Sequence, residues 1–334
     1  MKIIDNLKSN RKKALANTSF LKKGKYVLLP NMRTYVHKDK YEEALNSFPK
    51  PRGKKGSRTI FYKLLRPLFS FKVKDTGDFM GETMYFSSTP NPADRDCKIF
   101  SYVHGKMVIV SGNKKRYDTY LKNRNNISEL FPLPEFYEAN EEKQYIIEEF
   151  ILDKQANKNG SRELLDCVFE FYGDYYKKCK ALNKFKRSDE NEELLCQSVT
   201  KEESPVLYLH HADLSIDNIV YCQEPTQRLV FIDFDHENYY PPFYDVFFLI
   251  TNQAFADNDS SMLSYFNEGR YDKYLIDYAK ENNVTVKDIL SSCIKSLWYK
   301  RLQGYSQEKK KDFEMIFKDL VNRANGRINN GKCN

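Results

Sequence analysis

Residues 206–246 read VLYLHHADLSIDNIVYCQEPTQRLVFIDFDHENYYPPFYDV, and they concentrate the side chains whose types and spacing suit chemistry. Asp213 and Asn218 stand five positions apart in a polar stretch. An apolar run then ends in Asp233-Phe234-Asp235, and Asp245 follows. Phosphoryl transfer from ATP asks a protein mainly for positioning and charge compensation. It needs a carboxylate beside the attacking hydroxyl and oxygen ligands for Mg²⁺ on the phosphates. Asp213 suits the first task; Asn218 and Asp233 suit the second. NIVYC and RLVFI, joined by the turn QEPTQ, fit a strand pair that brings the three oxygens to one end. His-x-Asp-x-x-x-x-Asn alone is common by chance. Its conjunction with paired apolar strands and a terminal Asp-x-Asp is not, because carboxylates at the end of a buried strand are costly unless they meet a cation or partners.

The elements that must position these residues fall into two kinds. Residues 82–88 and 97–103 have strand character, and 97–112 reads as a hairpin turning at His104-Gly105. A helical stretch runs up to Pro132, and QYIIEEFI (144–151) reads as a further strand. Beyond it, 161–185 places apolar residues at helical spacing, and after Pro241-Pro242 the pattern is helical to the end. Residues 1–80 lack a clean period, except for the apolar-aromatic stretch 58–73, which Pro67 would interrupt as a helix.

The seven cysteines are scattered without C-x-x-C spacing, which argues against a zinc ribbon or a disulfide framework. The polar start shows no signal peptide, and no run of about 18 apolar residues suggests a membrane span. The expectation is a cytoplasmic protein. The net charge of +8 is unevenly spread. Residues 1–80 hold 20 Lys and Arg against 6 Asp and Glu, and the remainder holds 34 against 40. A basic arm therefore precedes a mildly acidic body.

HADLSIDN followed by IDFD resembles the aminoglycoside phosphotransferase/choline kinase superfamily. The resemblance extends over roughly 82–330, with specific motifs only in 206–246. It implies an α+β, bilobal protein-kinase-like fold that uses ATP and Mg²⁺. The strand-rich N-lobe would occupy 81–152 and the mainly helical C-lobe 153–334, behind a basic N-terminal extension at 1–80. Asp213 would be the catalytic base, with His211 its structural companion in the catalytic loop. Asn218 and Asp233 would bind metal, with Asp235 a further acidic residue beside it, and Asp245 would brace the loop. Backbone around Glu149 and Ile151 would meet adenine. The sequence departs from the family at the lysine expected on the third strand, where MVIVSGN has Val110 and Ser111. Lys98, Lys106 and Lys114 are the candidate replacements. The phosphate loop, SSTPNPADRD (87–96), lacks glycine and offers Ser88 and other polar donors instead.

The arm admits three readings: an extension packed on the small lobe, an interfacial membrane element at 58–73, or a polyanion-binding segment. No nucleic-acid module accompanies it, so nucleic acid is not an expected partner. Combined with the core, the arm points to a sugar, polyol or glycan hydroxyl as acceptor. The setting would be cell-surface polysaccharide synthesis, peripheral to the inner face of the membrane. The alternatives are a choline/ethanolamine- or aminoglycoside-type kinase, or an inactive pseudokinase serving as a membrane-surface binding module. Tyr239, Tyr240, Phe243 and Tyr244 are candidates for an amine cage, though the Pro241-Pro242 turn between them favours core packing.

Overall fold

The short strands of the N-terminal region find their partners far along the chain. In a computed structural model, the described residues are 2–42, 44, 64–87, 89, 91–151, 162–187, 206–222, 228–234, 238–256, 258–296 and 306–329. The chain divides into two units, one of residues 1–122 with 134–152 and one of residues 123–133 with 153–334.

The N-terminal unit is built on an eight-stranded antiparallel sheet in the order β3-β1-β2-β4-β5-β6-β8-β7. Its strands are β1 (Gly24–Leu28), β2 (Thr34–His37), β3 (Phe71–Val73), β4 (Thr83–Phe86), β5 (Cys97–Ser101), β6 (Lys106–Val110), β7 (Phe136–Asn140) and β8 (Tyr145–Glu149). Strand β5 shows the underlying pattern: Cys97, Ile99 and Ser101 are buried, while Lys98 and Phe100 face the other side and are less so. Helix α1 (Lys2–Ala16) sends Leu7 and Ala14 into the core formed by Tyr26, Tyr35, Met84, Phe86 and Ile99. Helix α2 (Lys114–Ile127) follows β6.

The expected boundary after residue 80 is corrected here. Residues 1–80 are not a separate extension, because β1, β2 and β3 complete the same sheet and Thr34–Val36 pair directly with β4. The membrane reading of 58–73 changes as well. Among the described residues of this stretch, Leu65, Phe69 and Phe71 belong to the sheet's core, while Leu64 and Leu68 are exposed. Phe61 and Tyr62 lie outside the described residues. Pro67 does not end the helical segment 64–69, whose Leu65 and Phe69 sit one turn apart on its buried face.

The C-terminal unit is organised around α3 (Arg162–Ala181). One face of α3 buries Leu165, Val168, Phe169, Tyr172, Tyr176 and Cys179. A three-stranded sheet joins β9 (Phe185–Arg187), β10 (Val206–His210) and β13 (Asn238–Tyr240), with β10 in the centre. A separate hairpin pairs β11 (Ile219–Cys222) with β12 (Arg228–Phe231). Helices α4 (Tyr244–Ala256), α5 (Ser261–Asn267), α6 (Asp272–Asn282), α7 (Val286–Ser296) and α8 (Gln307–Asn329) complete it. The abundance of tyrosine acquires a structural reason here, since core phenols reach polar partners: Tyr175 donates to the Leu209 carbonyl and Tyr278 to the Tyr208 hydroxyl. Tyr240, Phe243 and Tyr244 are buried in the same core, with the Tyr240 and Tyr244 rings stacked at 3.9 Å, which is core packing rather than an open cage. Among the described residues, no helix is long and apolar enough to cross a membrane.

The placement of Phe69 gives a direct test. Phe69→Ala should lower stability by about 3 kcal/mol in urea unfolding, the cost of emptying a core aromatic site. A lipid-facing phenylalanine would leave unfolding in solution unchanged.

Candidate active site

The site is assembled around one buried carboxylate. Asp245, in the first turn of α4, is fully buried. Its Oδ2 accepts from the Tyr172 hydroxyl at 2.6 Å, the His211 backbone N–H at 2.8 Å and His210 Nδ1 at 3.0 Å. Its Oδ1 accepts from the Ala212 N–H at 2.9 Å. Burial by itself pushes this carboxyl up, but the His210 ring, His211 and the Tyr172 hydroxyl outweigh it and hold Asp245 below the usual carboxylate range. His210 Nε2 is buried and has no hydrogen-bond partner among the described residues.

Asp245 therefore fixes the backbone immediately before Asp213. Ala212 takes a left-handed conformation (φ 69°), a region that costs a non-glycine residue about 1–2 kcal/mol and is sustained by the surrounding bonds. The turn this produces carries Asp213 out to solvent. The far end of the loop closes back on it: Asn218 Nδ2 donates to the Asp213 carbonyl at 2.8 Å. The amide oxygen of Asn218 is then the acceptor left for a ligand.

His211 ties this loop to the second acidic segment. Its ring is buried, lies 4.2 Å from the Phe234 ring, and bonds through Nε2 to the Ile232 carbonyl at 2.8 Å. The β11–β12 hairpin supplies the other tie, with Ile232 N–H donating to the Asn218 carbonyl at 3.0 Å. Asp233 comes next, exposed and also left-handed (φ 65°). Asp213, Asn218 and the Ile232 residue before Asp233 are thus linked by one backbone–backbone bond and two side-chain bonds to backbone carbonyls, and His211 acts by holding the loop. Asp235 lies outside the described residues, as does Ser88.

The remaining sequence-derived candidates sit in the N-terminal unit. Lys98 is on β5, paired with Tyr85 and Ile109. Glu149 ends β8, and its carboxylate accepts the Glu135 N–H at 3.1 Å. Phe150 N–H is committed to the Gly105 carbonyl, whereas Ile151 N–H has no protein partner among the described residues. Lys106 stacks on the Tyr137 ring at 4.2 Å, and Lys114 pairs with Asp118 and Glu141 at the surface. Strand β6 runs from Lys106 to Val110, so its lysine stands at the start of the strand and the end where the pattern expects one carries Val110, followed by Ser111. The sequence reading passed over Tyr172 and His210. A histidine doublet before Asp213 was the available signal, but a tyrosine 38 positions upstream of His210 gave none.

Breaking the central carboxylate has a signed consequence. Asp245→Asn should destabilise the protein by about 3–5 kcal/mol at pH 7, since one oxygen acceptor becomes an amide donor facing buried N–H groups. The folded carboxyl lies below its unfolded value of about 4, so its contribution is complete above that pH and is lost as pH falls through the folded value. The stability gap between wild type and Asp245→Asn, measured by denaturant titration, should narrow as pH falls below about 4.

With this geometry in place, similarity to known proteins becomes informative. Residues 133–284 match the Ecdysteroid kinase-like family. No curated protein matches the chain. Among solved structures, the chain is similar to the aminoglycoside phosphotransferase APH(4)-Ia (13% identity, 72% of this chain and 93% of that one covered, TM-score 0.42). It is also similar to a microcompartment-associated aminopropanol kinase (10%, 75% and 94%, TM-score 0.39). A third is a choline/ethanolamine kinase family protein from Mesorhizobium loti (12%, 69% and 89%, TM-score 0.33). The family match spans the whole Asp213–Asp245 constellation.

Proposed function

We propose that the chain transfers the terminal phosphoryl group of ATP to a hydroxyl of a small molecule, with Asp213 as the base that receives the hydroxyl proton. The observation that carries this reading is the exposed Asp213 held by two independent anchors, Asp245 behind it and Asn218 beside it. A base must be fixed relative to the attacking oxygen while its carboxylate stays accessible, and this loop meets both needs.

The residues also suit Mg²⁺. That ion retains several waters and takes one or two protein oxygens, here the Asn218 amide oxygen and the Asp233 carboxylate, with Asp235 as a third candidate. When bound, the ion would offset the charge on the transferred phosphoryl group. Asp233 is exposed and sits on a left-handed backbone just past the end of the hairpin. In the N-terminal unit, Lys98, Ser88 and the 87–96 loop are the proposed phosphate contacts. The Ile151 N–H and the Glu149 carbonyl are the proposed adenine contacts.

The acceptor is proposed as an uncharged alcohol of the sugar or polyol class, including those linked into cell-surface polysaccharides. The name of the matched family adds ecdysteroids to the compounds to try. The burial of Tyr240, Phe243 and Tyr244 removes the aromatic cage that would have favoured choline.

ATP consumption measured across sugars, polyols, ecdysteroids, choline, ethanolamine and aminoglycosides tests this reading. One acceptor should support turnover. Asp213→Asn should then lower kcat by about 10²–10⁴-fold, and Asp233→Ala should abolish Mg²⁺-dependent activity. Nucleotide binding without turnover across the panel would instead identify a pseudokinase.

A further inference from the structure

The loop between β4 and β5, Ser87 to Asp96, contains no glycine. A loop that presents backbone N–H groups to phosphate needs a fixed, often left-handed main chain, which glycine adopts without strain. Here none of the described residues has a positive φ, and the loop is held by side-chain bonds, many of them to the N-terminal helix.

Lys13, in the last turn of α1, donates through Nζ to the carbonyls of Ala93 and Arg95, both at 2.8 Å. Arg95 reaches back in the opposite direction. Its side chain is largely buried and donates to Asn10 Oδ1 at 3.1 Å, Asn6 Oδ1 at 3.2 Å and the Thr89 carbonyl at 3.3 Å. At the neck of the loop, Ser87 and Asp96 bond reciprocally: the Ser87 N–H donates to the Asp96 carbonyl, and the Asp96 N–H to Ser87 Oγ. The Asp96 carboxylate in turn accepts from Arg116 and from the Gly112 N–H. Gly112 is required by contact: a Cβ there would stand 2.2 Å from the Asp94 carbonyl.

The result is asymmetric. The carbonyls of Thr89, Ala93 and Arg95 are bound by cationic side chains. The N–H groups of Thr89, Asn91 and Arg95 have no protein partner among the described residues. A loop whose carbonyls are held back by lysine and arginine, with its N–H groups left over, has the chemistry of an anion cradle. Two cations within it add favourable potential. Burial pulls the Lys13 ammonium down, while Asp94 and Asp96 nearby favour its charged form.

We propose that Lys13 is a positioning residue for nucleotide phosphate, and that α1 clamps the 87–96 loop through Lys13 and Arg95 in place of the glycines it lacks. This rests on the kinase reading above and assigns the basic N-terminal helix a role in it.

The experiment compares Lys13→Met, Lys13→Arg and Asp213→Asn in the full-length chain. Nucleotide Kd is measured by calorimetry, KM for ATP and for the acceptor by turnover. Lys13→Met should raise the nucleotide Kd and the KM for ATP by about tenfold or more, leaving the acceptor KM unchanged. Lys13→Arg, whose guanidinium can also reach two carbonyls, should restore most of the affinity. If Lys13→Met does not fold, Asn6→Ala removes one Arg95 bond and should raise the nucleotide Kd by about threefold. An unchanged nucleotide Kd, or an equal rise in both KM values, would overturn the clamp. Full activity in Asp213→Asn would overturn the kinase reading instead.

Discussion

A single buried carboxylate organises the C-terminal unit. Asp245 takes four hydrogen bonds from three places in the chain: Tyr172 on α3, the His210 ring at the end of β10, and the backbone of His211 and Ala212. An ionised group without exposure persists only where such donors replace its water. The constraint runs both ways. The carboxylate needs the loop's N–H groups, and the left-handed turn at Ala212 needs the carboxylate. The exposed Asp213 inherits its position from that bargain.

The neighbouring tyrosines keep the arrangement neutral elsewhere. Burial raises the phenols of Tyr172, Tyr175 and Tyr176 well above their ordinary value, so they serve as fixed donors and acceptors across the working pH range. Tyr172 is held between the α3 face and Asp245, and Tyr175 caps the Leu209 carbonyl on β10. The strand that leads into the loop is thereby gripped from the helix side. Phenylalanine would fill the same volume and leave those polar atoms unpaired.

Legibility in the sequence followed the range of the interactions. The β11–β12 hairpin is local and apolar, and its reading as a strand pair agrees with the register Ile219 to Phe231. The alternation of 97–112 likewise gives the β5–β6 pair. By contrast, β1 pairs with β3 through Tyr26 and Phe71, 45 positions apart, and neither short segment has enough residues to show a period of its own. Charge counting misled for a related reason. It treats each lysine as a solvated surface group, and it cannot see that Lys13 and Arg95 have carbonyl partners inside the fold. The resemblance located Asp245 as a brace. Its four partners are a tertiary fact, and only the histidine doublet hinted at them.

The two units use one physical device with opposite sign. In the C-terminal unit an anion in the first turn of α4 collects backbone N–H groups and fixes the turn before Asp213. In the N-terminal unit a cation in the last turn of α1 collects backbone carbonyls and fixes the turn between β4 and β5. Each charge sits at the helix end whose dipole favours it. Both loops are thereby fixed through their backbone atoms, one where the chain turns left-handed at Ala212 and one where none of the described residues does.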